Sequence, residues 1–131
     1  MVLVDASVFI DFFNGVTNPE SQWLDLHLED QRIGVTSLIL TKVLMGLPNE
    51  RVASAIAADL MEFEIIELHE RELAVDAARH YRWLRNHGHT VRKTIDLVVA
   101  TYCIRHHHSL LHRDRDFDVF EERLGLHVVH P

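Results

Sequence analysis

Cysteine occurs once in the 131 residues, at Cys103, so neither a disulfide framework nor a cysteine-built zinc centre is available. Cys103 sits inside an apolar stretch and reads as a small buried side chain. Glycine (5) and proline (3) are scarce, and no linker, repeat or low-complexity segment interrupts the chain. Residues 1–131 are therefore expected to form one domain. No apolar run approaches the roughly 20 residues that span a bilayer. The start, Met1-Val2-Leu3-Val4-Asp5, lacks the basic leader of a secretory signal. The expectation is a cytoplasmic protein without a membrane anchor. Positive charge is also short: 13 Lys and Arg face 20 Asp and Glu, for a net charge of −7, which argues against indiscriminate nucleic-acid binding. The shortage is uneven. Arg79, Arg82, Arg85, Arg92, Lys93, Arg105, Arg113 and Arg115 all fall in the second half, so a basic rim beside an acidic pocket is compatible with the totals.

What is present is an ordinary globular composition, 47% hydrophobic and 25% charged, with strand-like and helix-like runs in alternation. Short apolar runs at 2–4, 33–35, 63–66, 109–111 and 126–129 suit buried strands. Helical spacing covers about 8–13, 20–30, 38–47, 50–61, 70–86, 95–107 and 115–123. This order predicts an α/β fold, a parallel sheet of about five strands sandwiched by helices. The 38–47 run is apolar nearly all round and predicts a buried helix, in which Lys42 needs an acidic partner or a route to solvent.

Acids stand at comparable places in that order. Asp5 follows the first strand, Asp96 lies at a helix start inside Ile95-Asp96-Leu97-Val98-Val99, and Asp114 and Asp116 follow a late strand. Parallel topology brings such places to one edge of the sheet, where ligands gather. Clustered carboxylates repel, and a hard divalent cation such as Mg²⁺ or Mn²⁺ relieves that repulsion while activating water against a phosphodiester. The alternative at each position is a helix cap: Asp5 after its strand, and Asp96 in a first turn capped by Thr94. Both readings stand on the sequence alone.

The blocks Val-Leu-Val-Asp-Ala-Ser-Val-Phe-Ile-Asp-Phe-Phe (2–13), Ile-Leu-Thr-Lys-Val-Leu-Met-Gly (39–46), Thr-Ile-Asp-Leu-Val-Val-Ala (94–100) and Leu-Leu-His-Arg-Asp-Arg-Asp-Phe-Asp (110–118) together resemble PIN-domain ribonucleases, and most closely the VapC toxins of toxin–antitoxin pairs. The likeness spans essentially the whole chain. It implies a PIN-like fold and a Mg²⁺- or Mn²⁺-dependent endoribonuclease cutting structured RNA such as tRNA or rRNA. It also implies a homodimer and a VapB-type antitoxin as partner. By resemblance Asp5, Asp96 and Asp114 match the metal-holding acids, Asp116 is a further ligand, and Ser7 matches a small supporting hydroxyl residue. His112 stands where the family often has Thr or Ser. Lys42 stands where the family has Glu, and a protonated amine cannot ligate a cation. The expectation is weak metal binding and weakened or lost cleavage. The alternative is an inactive PIN-like module that binds antitoxin or RNA without cutting.

Other candidates carry bland readings beside functional ones. Arg113 and Arg115 suit phosphate, or salt bridges to Asp114, Asp116 or Asp118. His106-His107-His108 points three ways from a helix end and reads as a solvated terminus. Trp23, Tyr81 and Trp83 are read as core or dimer packing, and Arg79, Arg82, Arg85, Arg92 and Lys93 as a solvated face. A phosphoacceptor receiver domain also combines acids with a lysine, but its lysine follows a late strand.

Overall fold

A computed structural model describes residues Met1–Pro131. Val2–Val4 forms β1, three apolar residues with no polar face, and it takes the centre of the sheet. Leu3 and Val4 are fully buried, each contributing about 1.5–3 kcal/mol by leaving water. β2 (Ile33–Thr36), β3 (Glu64–Ile66), β4 (Ser109–Leu111) and β5 (His127–Val128) complete a five-stranded, wholly parallel sheet in the order β3-β2-β1-β4-β5. Gly34 is where β2 passes the chain start: a Cβ there would meet the Met1 sulfur at 2.7 Å.

The helices are α1 (Ala6–Phe13), α2 (Pro19–Leu26), α3 (Ser37–Met45), α4 (Glu50–Leu60), α5 (Arg71–Asn86), α6 (Thr94–His106) and α7 (Asp118–Leu124), with a 3-10 turn at Arg115–Phe117. Several start on the residue types that satisfy free amides. Asn18 and Ser21 cap α2 reciprocally, Thr36 accepts from the Ile39 amide, and Asn49 accepts from the Val52 amide. α6, the most buried helix, packs against α5 and β4 with Leu97, Val99, Ala100 and Cys103 enclosed. Burial pushes the Cys103 thiol up to about 12, so it behaves as an apolar filler.

The fold is the α/β sandwich the sequence predicts, with three local differences. The second helix stops at Leu26, where His27 turns the chain, rather than running to residue 30. Thr94 is the first helical residue of α6 and not its cap; Lys93 holds the cap position, its side chain drawn away toward acids. α3 is only half enclosed: Ile39 and Val43 face the core while Met45 is 78% exposed. β2, α1 and α4 pack against that helix, and only Thr41 and Met45 are left exposed on its outer face.

The sheet order fixes where a site can form. The chain lays down β1, β2 and β3 outward on one side, then returns to β4 and β5 on the other. The switch lies between β1 and β4, and the crevice beyond their carboxyl ends is flanked by both following loops. The Asp5 amide donates to the Leu111 carbonyl across that crevice, at 2.9 Å.

Candidate functional site

Four acids reach this crevice from three segments. Asp5 is the last residue of the β1 extension and the N-cap of α1; its Oδ2 accepts from the Ser7 amide at 3.1 Å and the Ser7 hydroxyl at 2.7 Å. Ser7 in turn accepts from the Arg113 amide at 3.1 Å, tying the loop after β4 to the loop after β1. Asp96 is the third residue of α6 and is 2% exposed, as is Asp5. Asp114 caps the 3-10 turn by accepting from the Asp116 amide at 2.9 Å, which leaves Asp116 at the exposed rim. Both the cap reading and the pocket reading of Asp5 are thus realised by one side chain: Oδ2 caps, and Oδ1 is free of hydrogen bonds.

Two lysines enter the same space. Lys42 rises from α3, its Nζ donating to Asp96 Oδ1 at 3.0 Å and lying 3.9 Å from Asp5 Oδ1. It is therefore held between the two most buried acids. Lys93 closes the pocket from outside, 2.6 Å from Asp114 Oδ2, 3.2 Å from Asp116 Oδ2 and 3.8 Å from Asp96 Oδ2. The sequence placed Lys93 on a solvated face. Its position at the N-cap of α6, three residues ahead of Asp96, is the signal that would have found it.

Electrostatics follow burial and these contacts. Burial pushes the Asp96 carboxyl above its usual range, with Lys42 working against that rise and the nearby Asp5 adding to it. Burial also pushes Asp114 up, but the Lys93 ammonium and the Asp116 amide outweigh it and hold that carboxyl below its usual range. Lys93 is correspondingly raised by its hydrogen bond to Asp114, against burial and with help from Asp116.

Oxygen atoms of Asp96, Asp114 and Asp116 lie within 4.8 Å of one another, an all-carboxylate donor set suited to a hard divalent cation. Asp96 Oδ2 is buried without a hydrogen-bond donor, an acceptor left open toward that group. These three residues fit a cation at the pocket mouth, in the place where the Lys93 ammonium supplies the counter-charge. Asp5 is not gathered with them; Lys42 stands between. At the floor, an ammonium already supplies the counter-charge for Asp5 and Asp96.

The remaining candidates are placed as follows. Arg113 turns from the pocket to Asp11 and Glu20, not to the neighbouring acids. Arg115 makes no ion pair and lines a cavity of about 370 Å³ beside Asp96 and Asp116. His112 Nδ1 accepts from the Asp114 amide at 3.2 Å, its ring packed 4.9 Å from Phe117. His106 pairs with Glu70 at 2.8 Å, far from the crevice along α6. Trp83 is 38% exposed and stacks on His87 at 3.8 Å, outside the core; Trp23 and Tyr81 pack against the core edge.

Comparisons with known proteins agree with this architecture. The family model described as "PIN domain" matches residues 2–122. The curated relatives include "VapC ribonuclease Mb1587" of Mycobacterium bovis and "Ribonuclease VapC11" of Mycobacterium tuberculosis. Each is 27% identical over 134 residues, covering 98% of both chains. Similar solved structures include VapBC2 from Rickettsia felis bound to a promoter DNA fragment (TM-score 0.79, 16% identity, 98% of both chains). FitAcB from Neisseria gonorrhoeae has a TM-score of 0.77 at 20% identity, over 100% of this chain and 98% of that one. Mycobacterium tuberculosis VapC20, described as a sarcin-ricin loop cleaving toxin, has a TM-score of 0.71 at 17% identity, covering 100% of both. No helix is long and apolar enough to cross a membrane.

Proposed function

The chain belongs to the PIN-domain family, and on that premise we propose that it is a VapC-type ribonuclease toxin of the cytoplasm. Its pocket is built for Mg²⁺- or Mn²⁺-dependent cleavage of structured RNA such as tRNA or rRNA, and Lys42 attenuates it. The observation that carries this reading is the convergence of Asp5, Asp96, Asp114 and Asp116 on one crevice, with an ammonium at its floor.

Asp96, Asp114 and Asp116 are the residues that would hold the cation. When bound, it supplies Lewis-acid charge for activating water and for neutralising a phosphodiester in attack. The protein's own contributions are separable. Asp114 stays ionised because Lys93 and the Asp116 amide favour its charged form. Ser7 fixes Asp5 Oδ2, so only Oδ1 faces the pocket. Lys93, at the half-exposed mouth, can swing toward water, whereas Lys42 is anchored below. Lys42 cancels negative charge that a cation needs, which supports weak metal affinity and slow or absent cleavage.

Partners follow from surfaces. Phe12, Phe13, Leu28 and Phe63 border an open cavity of about 340 Å³ with Asp59 and Glu62 at its edge, which supports docking of an apolar antitoxin segment of the VapB type. The outer face of α3, with Leu40 and Leu44 half-buried and Met45 exposed, supports a homodimer.

A second reading is favoured by the Lys42–Asp96 contact itself: a PIN-like module that binds antitoxin or RNA without cutting. Lys42→Glu, assayed against structured RNA with Mg²⁺ or Mn²⁺ and with a chelator, separates the two. The nuclease reading expects chelator-sensitive cleavage that Lys42→Glu increases. Equal activity in both proteins refutes the attenuating role of Lys42, and absence of cleavage in both refutes the nuclease.

A further inference from the structure

The cavity beside the acids is walled by the loop from Gly88 to Lys93 on one side and by the 3-10 turn and α7 on the other. At about 370 Å³ it lies at the small end of ligand sites, room for one nucleotide and not for a duplex. Its walls combine two kinds of surface. Val91, Val119 and Phe120 are apolar, and His89 adds a half-buried ring. Arg92 and Arg115 are exposed, line the same cavity, and neither takes part in an ion pair or a side-chain hydrogen bond. That contrasts with Arg113, whose guanidinium is bound to Asp11 and Glu20. Asp96 and Asp116 line the same cavity, but Lys42 and Lys93 answer their charge. In a chain of net charge −7, the two uncompensated guanidiniums on opposite walls are left as a local anion seat.

We propose that this cavity is a one-nucleotide subsite for single-stranded RNA. Arg92 and Arg115 grip the phosphate next to the one placed at the acids, and the unpaired base lies against His89, Val91 and Val119. The subsite rests on the reading of the acid pocket as an RNA-cleaving centre and adds the residues that hold the strand beside it; the base they receive is unpaired, since a paired base cannot leave its stack without cost. The grip needs no divalent cation, because the guanidiniums carry their own charge. It also supplies what the lysine-neutralised pocket lacks, a positive foothold that draws an anionic strand to an acidic protein.

The test is fluorescence anisotropy with a fluorescein-labelled RNA stem-loop and, separately, the same stem fully paired, in EDTA across a salt series. The unaltered chain, Arg92→Ala, Arg115→Ala, Arg92→Lys and, as a control on α5, Arg82→Ala are compared. Arg92→Ala and Arg115→Ala are each expected to weaken stem-loop binding about tenfold and to flatten the slope of log K against log salt by roughly 0.7–1. Arg92→Lys keeps the slope, and Arg82→Ala changes neither quantity. If the stem-loop binds but the alanine variants keep the original slope, or Arg82→Ala flattens it equally, the subsite is wrong while the RNA reading stands. Paired RNA showing the same dependence on Arg92 and Arg115 also overturns it. If the unaltered chain binds no stem-loop at any salt concentration, the RNA reading falls with it.

Discussion

Replacing Lys42 by methionine keeps the length of the side chain and removes its charge, which isolates what the ammonium does for the buried acids. Its Nζ lies 3.0 Å from Asp96 Oδ1 and 3.9 Å from Asp5 Oδ1, and both carboxylates are 2% exposed. Breaking a fully buried pair from one side costs about 3–5 kcal/mol. Lys42 is 26% exposed, so water offsets part of that, and about 2–3 kcal/mol is expected at pH 7. With a urea dependence of about 1.5 kcal/mol/M, the unfolding midpoint falls by roughly 1.3–2 M. The sign with pH follows from Asp96, whose folded carboxyl is already raised by burial. A raised acid costs stability as pH climbs from its unfolded value through its folded one, and it costs nothing below both. Removing Lys42 raises Asp96 further, so the deficit of Lys42→Met is full at pH 7 and shrinks as pH falls toward about 4. Urea melts of both proteins in EDTA at pH 7 and pH 4.5 measure it. A deficit that is absent at pH 7, or equal at both values, refutes the ion-pair account.

Asp114 gives the opposite slope: its folded carboxyl is depressed, so its contribution is present above about pH 4 and is lost as pH falls through the folded value. Lys93→Ala should therefore remove part of the acid-side stability loss, read by melts between pH 3 and 5, with an effect below about 1 kcal/mol because Lys93 is 48% exposed. Ser7→Ala removes a hydrogen bond to Asp5 and an acceptor for the Arg113 amide, and about 1–2 kcal/mol of stability should go with them in a urea melt. Phe117 is fully buried under the 3-10 turn that carries Asp114 and Asp116, and Phe117→Ala should cost about 3–5 kcal/mol by thermal or urea unfolding. Cys103, enclosed and with its thiol at about 12, should resist a disulfide reagent at pH 8 in buffer and react fully in urea.

The strand–helix alternation and the parallel sheet were legible because β1, β2 and β4 are short runs, apolar but for Thr36 and Ser109 at their ends, a pattern that admits few other folds. The placement of Asp5 and Asp114 at the switch between β1 and β4 followed from the same alternation. What was not legible depended on side-chain direction. Lys93 and Arg113 are both basic residues beside acids in sequence; one folds onto three of them, while the other reaches back to α1 and α2. No local propensity distinguishes the two cases, because the partner is chosen by the loop's path and not by its composition. The half-open face of α3 was likewise hidden. A run apolar all round reports that burial is available on each side, not that this chain supplies it. The cavity beneath the 88–93 loop involves residues with no shared spacing, and only the closure of that loop against α7 reveals it.

The central claim is that carboxylates from distant segments make one cation seat and that Lys42 occupies its floor as a substitute charge. Calorimetric titration of Mn²⁺ into the unaltered chain and into Lys42→Glu tests it most directly. The account predicts one site in the variant, bound at least tenfold more tightly than in the unaltered chain. Equal Mn²⁺ affinity in the two proteins, or no heat in either, contradicts it.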